Sequence, residues 1–329
     1  MSRVFSGVQP SAGQVHIGNY LGAMRKFVEL SKAHETTVCI VDFHALNSVK
    51  SKQDLEQFTI SLAAAYLAIG LDPNKTVIFR QSDVPEVCEL TWYLSTNFPL
   101  GLLERSHALK DAKAKDSKIN AGLMFYPILM AADILLNKAD LVPVGADQKQ
   151  HLEMTREIAI KFNHLYGSKD QEIFPVPEPL IDKETGVIPG LDGRKMSKSY
   201  DNFIGLFETE KKLKKKVMKI VTDSKGVEDK KEAKDCNVFK LYKFFANQEL
   251  QNQMQENYKK GGYGYGEAKL ELLRAIKEEI DPIRESYNEW IGKPKEIREI
   301  LASGAKRNRE ISKQTILEVR EALGLGKVL

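Results

Sequence analysis

The sequence predicts an α/β protein: a parallel sheet over the first two-thirds of the chain, then an all-helical part. Three observations lead there. Up to about residue 204, short β-branched runs alternate with longer helical patterns, the order of βαβ units. From residue 208 onward the β signal vanishes and only helical periodicity remains. The 329 residues leave room for roughly two domains of about 150 residues each.

The elements follow in order. Strands are predicted at residues 4–6, 37–41, 76–80 and 141–144, each short and rich in Val, Ile or Phe. A helix is predicted to begin near Gly18. The stretch 54–69 carries Leu55, Phe58, Leu62, Ala65, Tyr66 and Ile69 at helical spacing, and 121–136 and 148–166 read likewise. Pro175, Pro177 and Pro179 predict an irregular stretch, and Gly186, Gly190 and Gly193 a hinge. Helices are then predicted over 208–220, 239–258, 268–290 and 295–323. The run Gly261-Gly262-Tyr263-Gly264-Tyr265-Gly266 lacks the GxGxxG spacing and follows a helical pattern, so it is predicted to be a loop between helices.

Composition narrows the class. With 42% hydrophobic and 29% charged residues the chain is neither disordered nor fibrous. Cys39, Cys88 and Cys236 are too scattered for a disulfide framework and form no CxxC pair, which fits a reducing cytoplasm. The N-terminus has no apolar h-region and no run approaches ~18 apolar residues, so neither export nor a membrane span is expected. The net charge of +4 is uneven: residues 1–204 hold 22 basic and 24 acidic side chains, residues 205–329 hold 27 and 21. The densest basic run is Lys211, Lys212, Lys214, Lys215, Lys216 and Lys219, around an apolar stripe of Leu213, Val217 and Ile220. Taken alone such a run is usually a solvated face.

Two segments point to chemistry. The first strand leads through Gln9-Pro10-Ser11 to His16-Ile17-Gly18-Asn19 at the start of a helix. The unpaired N–H groups and dipole of a helix N-terminus attract anions, and Gly18 lets a ligand approach the backbone closely. Phosphate binding is the natural use, with His16 as a hydrogen-bond donor; a lone histidine there more often caps the helix or lies on the surface. Far downstream, Asp192-Gly193-Arg194-Lys195-Met196-Ser197-Lys198-Ser199 is a short basic loop whose two lysines, three apart, suit the pyrophosphate of ATP. A KxxK loop is weak evidence; KMSKS downstream of HIGN is much stronger.

With both segments in this order, the chain resembles the class I aminoacyl-tRNA synthetases, whose two signatures correspond to residues 16–19 and 195–199. It is most similar to the tryptophan branch of that family. The likeness runs through residues 5–11, Cys39-Ile40-Val41-Asp42-Phe43-His44-Ala45, residues 126–136, residues 142–151 and Val221-Thr222-Asp223-Ser224. Local departures are one extra residue between Pro10 and His16, Phe43 where many members carry Gln, and Ala146 in place of a frequent acidic residue.

The resemblance implies a Rossmann-like catalytic domain over 1–204 and a helical, anticodon-binding domain over 205–329, leaving open that the last helix packs back on the first domain. It implies activation of L-tryptophan by ATP with Mg²⁺ and transfer to tRNA(Trp), in a cytoplasmic homodimer. Catalysis is expected from His16, Asn19, Lys195 and Lys198. ATP contacts are expected at Gln9, Pro10, Ser11, Gly18, Asn19, Gly145, Ala146, Asp147, Ile188, Lys195, Met196, Ser197, Lys198 and Ser199, plus one lysine among Lys110, Lys113, Lys115 and Lys118. No protein-held metal site is expected. Tryptophan recognition is expected at Asp133, with Tyr126, Met130, Phe5, His44, Val144 and Gln148 around it. The spacing agrees, because Tyr126, Met130 and Asp133 share one helix face. An indole offers one polar handle, its N–H, on a flat apolar body, and a carboxylate is the acceptor it needs. Without its neighbours Asp133 would read as a helix carboxylate paired with some Lys or Arg.

The tyrosine branch shares the fold and both signatures, but a phenol demands partners at the far end of a smaller ring. A small-molecule nucleotidylyltransferase would share the HxGx turn and leave KMSKS unexplained. A non-catalytic tRNA-binding paralogue should have lost catalytic residues that this chain keeps.

Overall fold

A computed structural model describes residues 1–11, 15–114, 119–145, 148–168, 172–180 and 187–326. Five strands, β1 (Arg3–Val8), β2 (Glu35–Ile40), β3 (Val77–Arg80), β4 (Leu141–Pro143) and β5 (Glu178–Leu180), form one sheet in the order β3-β2-β1-β4-β5. Every pairing is parallel. The four predicted strands are present, with ends shifted by at most two residues. The fifth replaces part of the predicted irregular stretch. Pro179 sits in an edge strand, where its missing N–H is tolerated, while the Glu178 N–H donates to the Asp140 carbonyl at 2.7 Å.

Between and after the strands run α1 (Ile17–Asn19), α2 (Arg25–Ala33), α3 (Asp42–Ala45), α4 (Lys52–Ala68), α5 (Glu86–Ser95), α6 (Leu100–Glu104), α7 (His107–Ala114), α8 (Ala121–Leu136) and α9 (Lys149–Tyr166). The helical part holds α10 (Glu210–Met218), α11 (Asn237–Tyr242), α12 (Gln248–Lys260), α13 (Tyr265–Ile291) and α14 (Pro294–Ala322). A π-helical turn, Tyr20–Met24, joins α1 to α2. The single helix predicted over 239–258 is two, because the Asn247 side chain caps a new start by accepting from the Leu250 N–H at 3.0 Å. The glycine-rich run 261–266 connects α12 to α13, with Gly261 and Gly262 at φ +80° and +75°.

Alternating strand residues feed two cores. Val38, Ile40 and Ile78 point to one side of the sheet, with Phe27, Tyr66, Met254 and Leu272. Cys39, Val41 and Phe79 point to the other, with Leu90, Ile134, Phe162 and Ile316. The first core is continuous across residue 204, since Ile17 and Leu62 share it with Tyr258 and Ile276. The last helix, α14, contributes to both cores through Leu301 and Ala305 and lies along β3, one of the two edge strands of the sheet. It comes so close that a Cβ on Gly304 would collide with the Ile78 carbonyl oxygen.

Candidate active site

In a parallel sheet, ligands bind beyond the carboxyl ends of the strands, where neighbouring connections leave in opposite directions. Here that point lies between β1 and β4. Gln9, Pro10 and Ser11 follow β1, and Gly145 follows β4, its carbonyl accepting from the Gln148 N–H at 3.0 Å. Gln9 donates to the Ser48 hydroxyl at 3.2 Å, Pro10 is buried and Ser11 exposed. Ala146, Asp147, Gly186, Lys115 and Lys118 lie outside the described residues. Lys110 and Lys113 are exposed on α7.

The two signature segments meet. The Ile17 N–H donates to the Ile204 carbonyl at 2.9 Å and the Leu206 N–H to the Val15 carbonyl at 2.8 Å, so the chain leaving KMSKS pairs with the chain entering HIGN. The Gly18 N–H points at the Met196 sulfur, 3.3 Å away. A Cβ on Gly18 would lie 2.9 Å from the His16 ring and 3.3 Å from Met196 Cβ, so this contact requires glycine.

His16 and Asn19 cap the helix reciprocally. The Asn19 N–H donates to His16 Nδ1 and the His16 N–H to Asn19 Oδ1, both at 3.1 Å. The capping role expected of a lone histidine is therefore real, and it is compatible with a second one. Because Nδ1 accepts, the neutral ring carries its proton on Nε2. Burial lowers the imidazole from 6.5 to about 4, helped by the positive charges of Lys198 and Lys216. Burial likewise lowers Lys198. A histidine held below its unfolded value stabilises the fold above pH 6.5, and that contribution is lost as pH falls toward 4. Stability is thus expected to decline over this window in urea titrations. His16→Asn, which keeps an N-cap acceptor, should flatten the decline; an equally steep decline in the variant would refute the assignment.

The KMSKS loop is shaped by Asn202, which the sequence did not single out. Its amide accepts from the Ser197 N–H at 2.8 Å and donates to Asp192 Oδ1 at 2.7 Å and to the Lys195 carbonyl at 3.1 Å. The Asn202 hydrogen bond, followed by those from Arg194, holds the Asp192 carboxyl below its usual range. Ser197 caps the turn Lys198–Tyr200 through the Ser199 N–H, and Lys195 is exposed. Ile188 turns its side chain into the core, and its carbonyl accepts from the Met196 N–H at 2.8 Å. That arrangement supports the loop from behind and leaves only the Ile188 backbone toward it.

At the ends of β2 and β3 lies a second cluster. Asp133, on α8, is 5% exposed. No Lys or Arg pairs with it among the described residues. The Gln81 amide donates to both carboxylate oxygens at 2.8 Å, and His44 Nε2 donates to Oδ2 at 3.1 Å. Gln81 is held in turn by the Phe43 N–H, which donates to Oε1 at 3.0 Å. Tyr126 stands edge-on to His44 at 4.6 Å and to His151 at 5.3 Å between ring centres, and His151 Nδ1 lies 3.2 Å from Gln148 Oε1. Phe5 is buried in the same core against which Met130 and Val144 pack. The structure thus gathers Asp133, Tyr126, His44 and Gln148, with Phe5, Met130 and Val144 behind them. Gln81 and His151 went unselected; the signal for Gln81 was its place just past a predicted strand end. Among the described residues no group of three or more His, Cys, Asp or Glu gathers to hold a metal ion.

Comparison with known proteins agrees with this geometry. The family model for tRNA synthetases class I (W and Y) matches residues 1–280. A tryptophan–tRNA ligase of Fusobacterium nucleatum is 48% identical over 325 residues, covering 99% of this chain and 98% of its own. One from Campylobacter jejuni is 45% identical over 323 residues, covering 98% and 100%. Among solved structures, the C. jejuni tryptophanyl-tRNA synthetase complexed with ADP and tryptophan superposes with a TM-score of 0.90 at 44% identity, covering 98% of this chain and 100% of that one. The Mycoplasma pneumoniae enzyme gives 0.85 at 30% identity, covering 99% and 98%. With its paired HIGN and KMSKS segments at the carboxyl ends of a parallel sheet, this chain belongs to the class I tRNA synthetases of the W and Y type.

Proposed function

We propose that the chain is a tryptophan–tRNA ligase, which forms tryptophanyl-adenylate and pyrophosphate from L-tryptophan and ATP and then acylates the terminal ribose of tRNA(Trp). The observation that carries this reading is the buried Asp133 carboxylate, held by Gln81 and by His44, against which the Tyr126 ring stands edge-on. It offers a fixed acceptor beside the rings of His44, Tyr126 and His151, the complement of an indole N–H on a flat apolar body. The relative complexed with ADP and tryptophan supports the same pairing of ligands.

In the reaction the tryptophan carboxylate attacks the α-phosphorus in line and pyrophosphate leaves. No covalent enzyme intermediate is needed, so catalysis is positioning and charge stabilisation. His16 supplies Nε2–H to the α-phosphate, whereas the N–H groups of Ile17, Gly18 and Asn19 at the start of α1 already donate to Ile204, Met196 and His16. Lys195 and Lys198 take the charge of the leaving pyrophosphate. Mg²⁺ would enter with ATP as part of that substrate; the side chains assigned to the phosphates, His16, Lys195 and Lys198, act there as N–H donors and charges toward the anion. ATP–pyrophosphate exchange tested against all twenty amino acids decides the assignment: tryptophan alone should drive it, and a response to tyrosine alone, or to none, would overturn it.

Residues 205–329 are assigned to the tRNA anticodon arm. Lys211, Lys212, Lys214, Lys215 and Lys219 are exposed on and just after α10, whereas Lys216 turns inward to Glu208 at 2.6 Å and to the Phe203 carbonyl at 2.8 Å. Changing Lys211, Lys212, Lys214 and Lys215 to glutamine is expected to flatten the salt dependence of tRNA affinity, by about 0.7 to 0.9 in log–log slope for each phosphate that is no longer neutralised. An unaltered slope would leave this face as solvated surface. A homodimer and a cytoplasmic location complete the proposal, the first testable by light scattering. No helix among the described residues is long and apolar enough to cross a membrane.

A further inference from the structure

Asp133 and Gln81 come from different parts of the fold, α8 and the end of β3, and their 2.8 Å contacts require those elements to be fixed against each other. The last helix touches both. Toward β3, α14 brings Gly304 against the Ile78 backbone, three residues before Gln81, and Arg307 donates to the carbonyls of Pro73 at 2.6 Å and Thr76 at 3.0 Å. Toward α8 it presents a buried polar stripe of Asn308, Ser312 and Thr315, at i, i+4 and i+7 on one face.

This stripe closes the end of the helix that carries Asp133. The final carbonyls of a helix lack intrahelical partners and must find others when buried. The Asn137 amide donates to the Asp133 carbonyl at 2.7 Å, and Asn308 donates to Asn137 Oδ1. Ser312 donates to Asn308 Oδ1 at 3.0 Å, and the Thr315 hydroxyl lies 3.0 Å from the Leu136 carbonyl. Beyond them Lys138 pairs with Glu318 at 2.6 Å, putting a cation near the negative end of α8. A buried polar chain with every member satisfied costs little and fixes one arrangement; a purely apolar face would let α14 slide.

We propose that α14 is a positioning element of the tryptophan pocket, with Asn308 setting, through Asn137, the relation of the Asp133 carboxylate to Gln81 and hence the discrimination of the indole N–H. This rests on the tryptophan assignment above. Asn308 touches no substrate and acts through Asn137 and the end of α8.

The test compares tryptophan with β-(3-benzothienyl)alanine, which has the same shape and no N–H, in calorimetric binding and pyrophosphate exchange by the full-length protein. Wild type is expected to prefer tryptophan. Asn308→Leu, which keeps the branching at Cγ and removes the amide, should reduce that preference about tenfold while leaving KM for ATP unchanged. A merely structural residue would lower Tm or kcat for both substrates alike. Should Asn308→Leu not fold, Thr315→Val removes one hydroxyl from the same seam and should reduce the preference in the same direction. A folded variant with wild-type preference overturns the positioning role. Failure of the wild type to use tryptophan at all would overturn the functional reading instead.

Discussion

Lys195→Ala is expected to slow tryptophan-dependent pyrophosphate exchange by roughly 10²- to 10³-fold, the usual cost of removing one preorganised charge stabiliser. The effect should be confined to chemistry. The Lys195 side chain is exposed, while its carbonyl is held by Asn202 and its backbone pairs with Pro189. Those backbone contacts remain in the alanine variant, and tryptophan affinity, which we assign to the separate Asp133 cluster, should hardly move. Exchange kinetics with calorimetric titration of tryptophan make the comparison. Unchanged exchange would remove Lys195 from the pyrophosphate site.

Asp133→Asn should produce the largest effect at the other end of the site. The carboxylate accepts from Gln81 on both oxygens and from His44 on one. An amide of the same shape can accept on only one atom and turns an NH₂ toward groups that are themselves donors. The indole N–H then competes for a single oxygen, and a buried donor is left unpaired. We expect tryptophan kcat/KM to fall by about 3 kcal/mol, roughly 10²-fold, with KM for ATP unchanged. The variant should also lose preference for tryptophan over phenylalanine, because that preference comes from an N–H with a dedicated acceptor. A wild-type KM for tryptophan in Asp133→Asn would exclude the carboxylate from recognition.

Much of this was legible in the sequence because its signals are local. Strand runs, the helix over 121–136 and the HIGN and KMSKS segments depend on neighbours within a few residues, and the structure keeps them. What escaped depends on distant partners. An edge strand containing Pro179 has no pattern of its own and exists because Asp140 and β4 lie alongside to pair with it. Gln81 acquires meaning only when α8 brings Asp133 beside it, and Asn202 only when the KMSKS loop folds over its amide. Lys216 is hidden for the same reason: within a run of lysines nothing marks the one that faces Glu208. Gly304 gives no local sign that Ile78 will press against it.

The return of α14 onto β3 also bears on when the protein becomes competent. Strand β3 ends at Arg80 and α14 starts at Pro294, so more than 200 residues must be synthesised between the two surfaces that later touch. At about 5 to 20 residues per second, this separates their emergence by about 10 to 40 seconds. During that interval the nascent sheet keeps an uncovered edge, open to pairing with other chains, and the end of α8 lacks its Asn308 and Thr315 partners. With the positioning role proposed for α14, the nascent chain displays its HIGN and KMSKS segments well before the Asp133 cluster is fixed, and the arrival of the last helix sets the order in which the enzyme's parts mature.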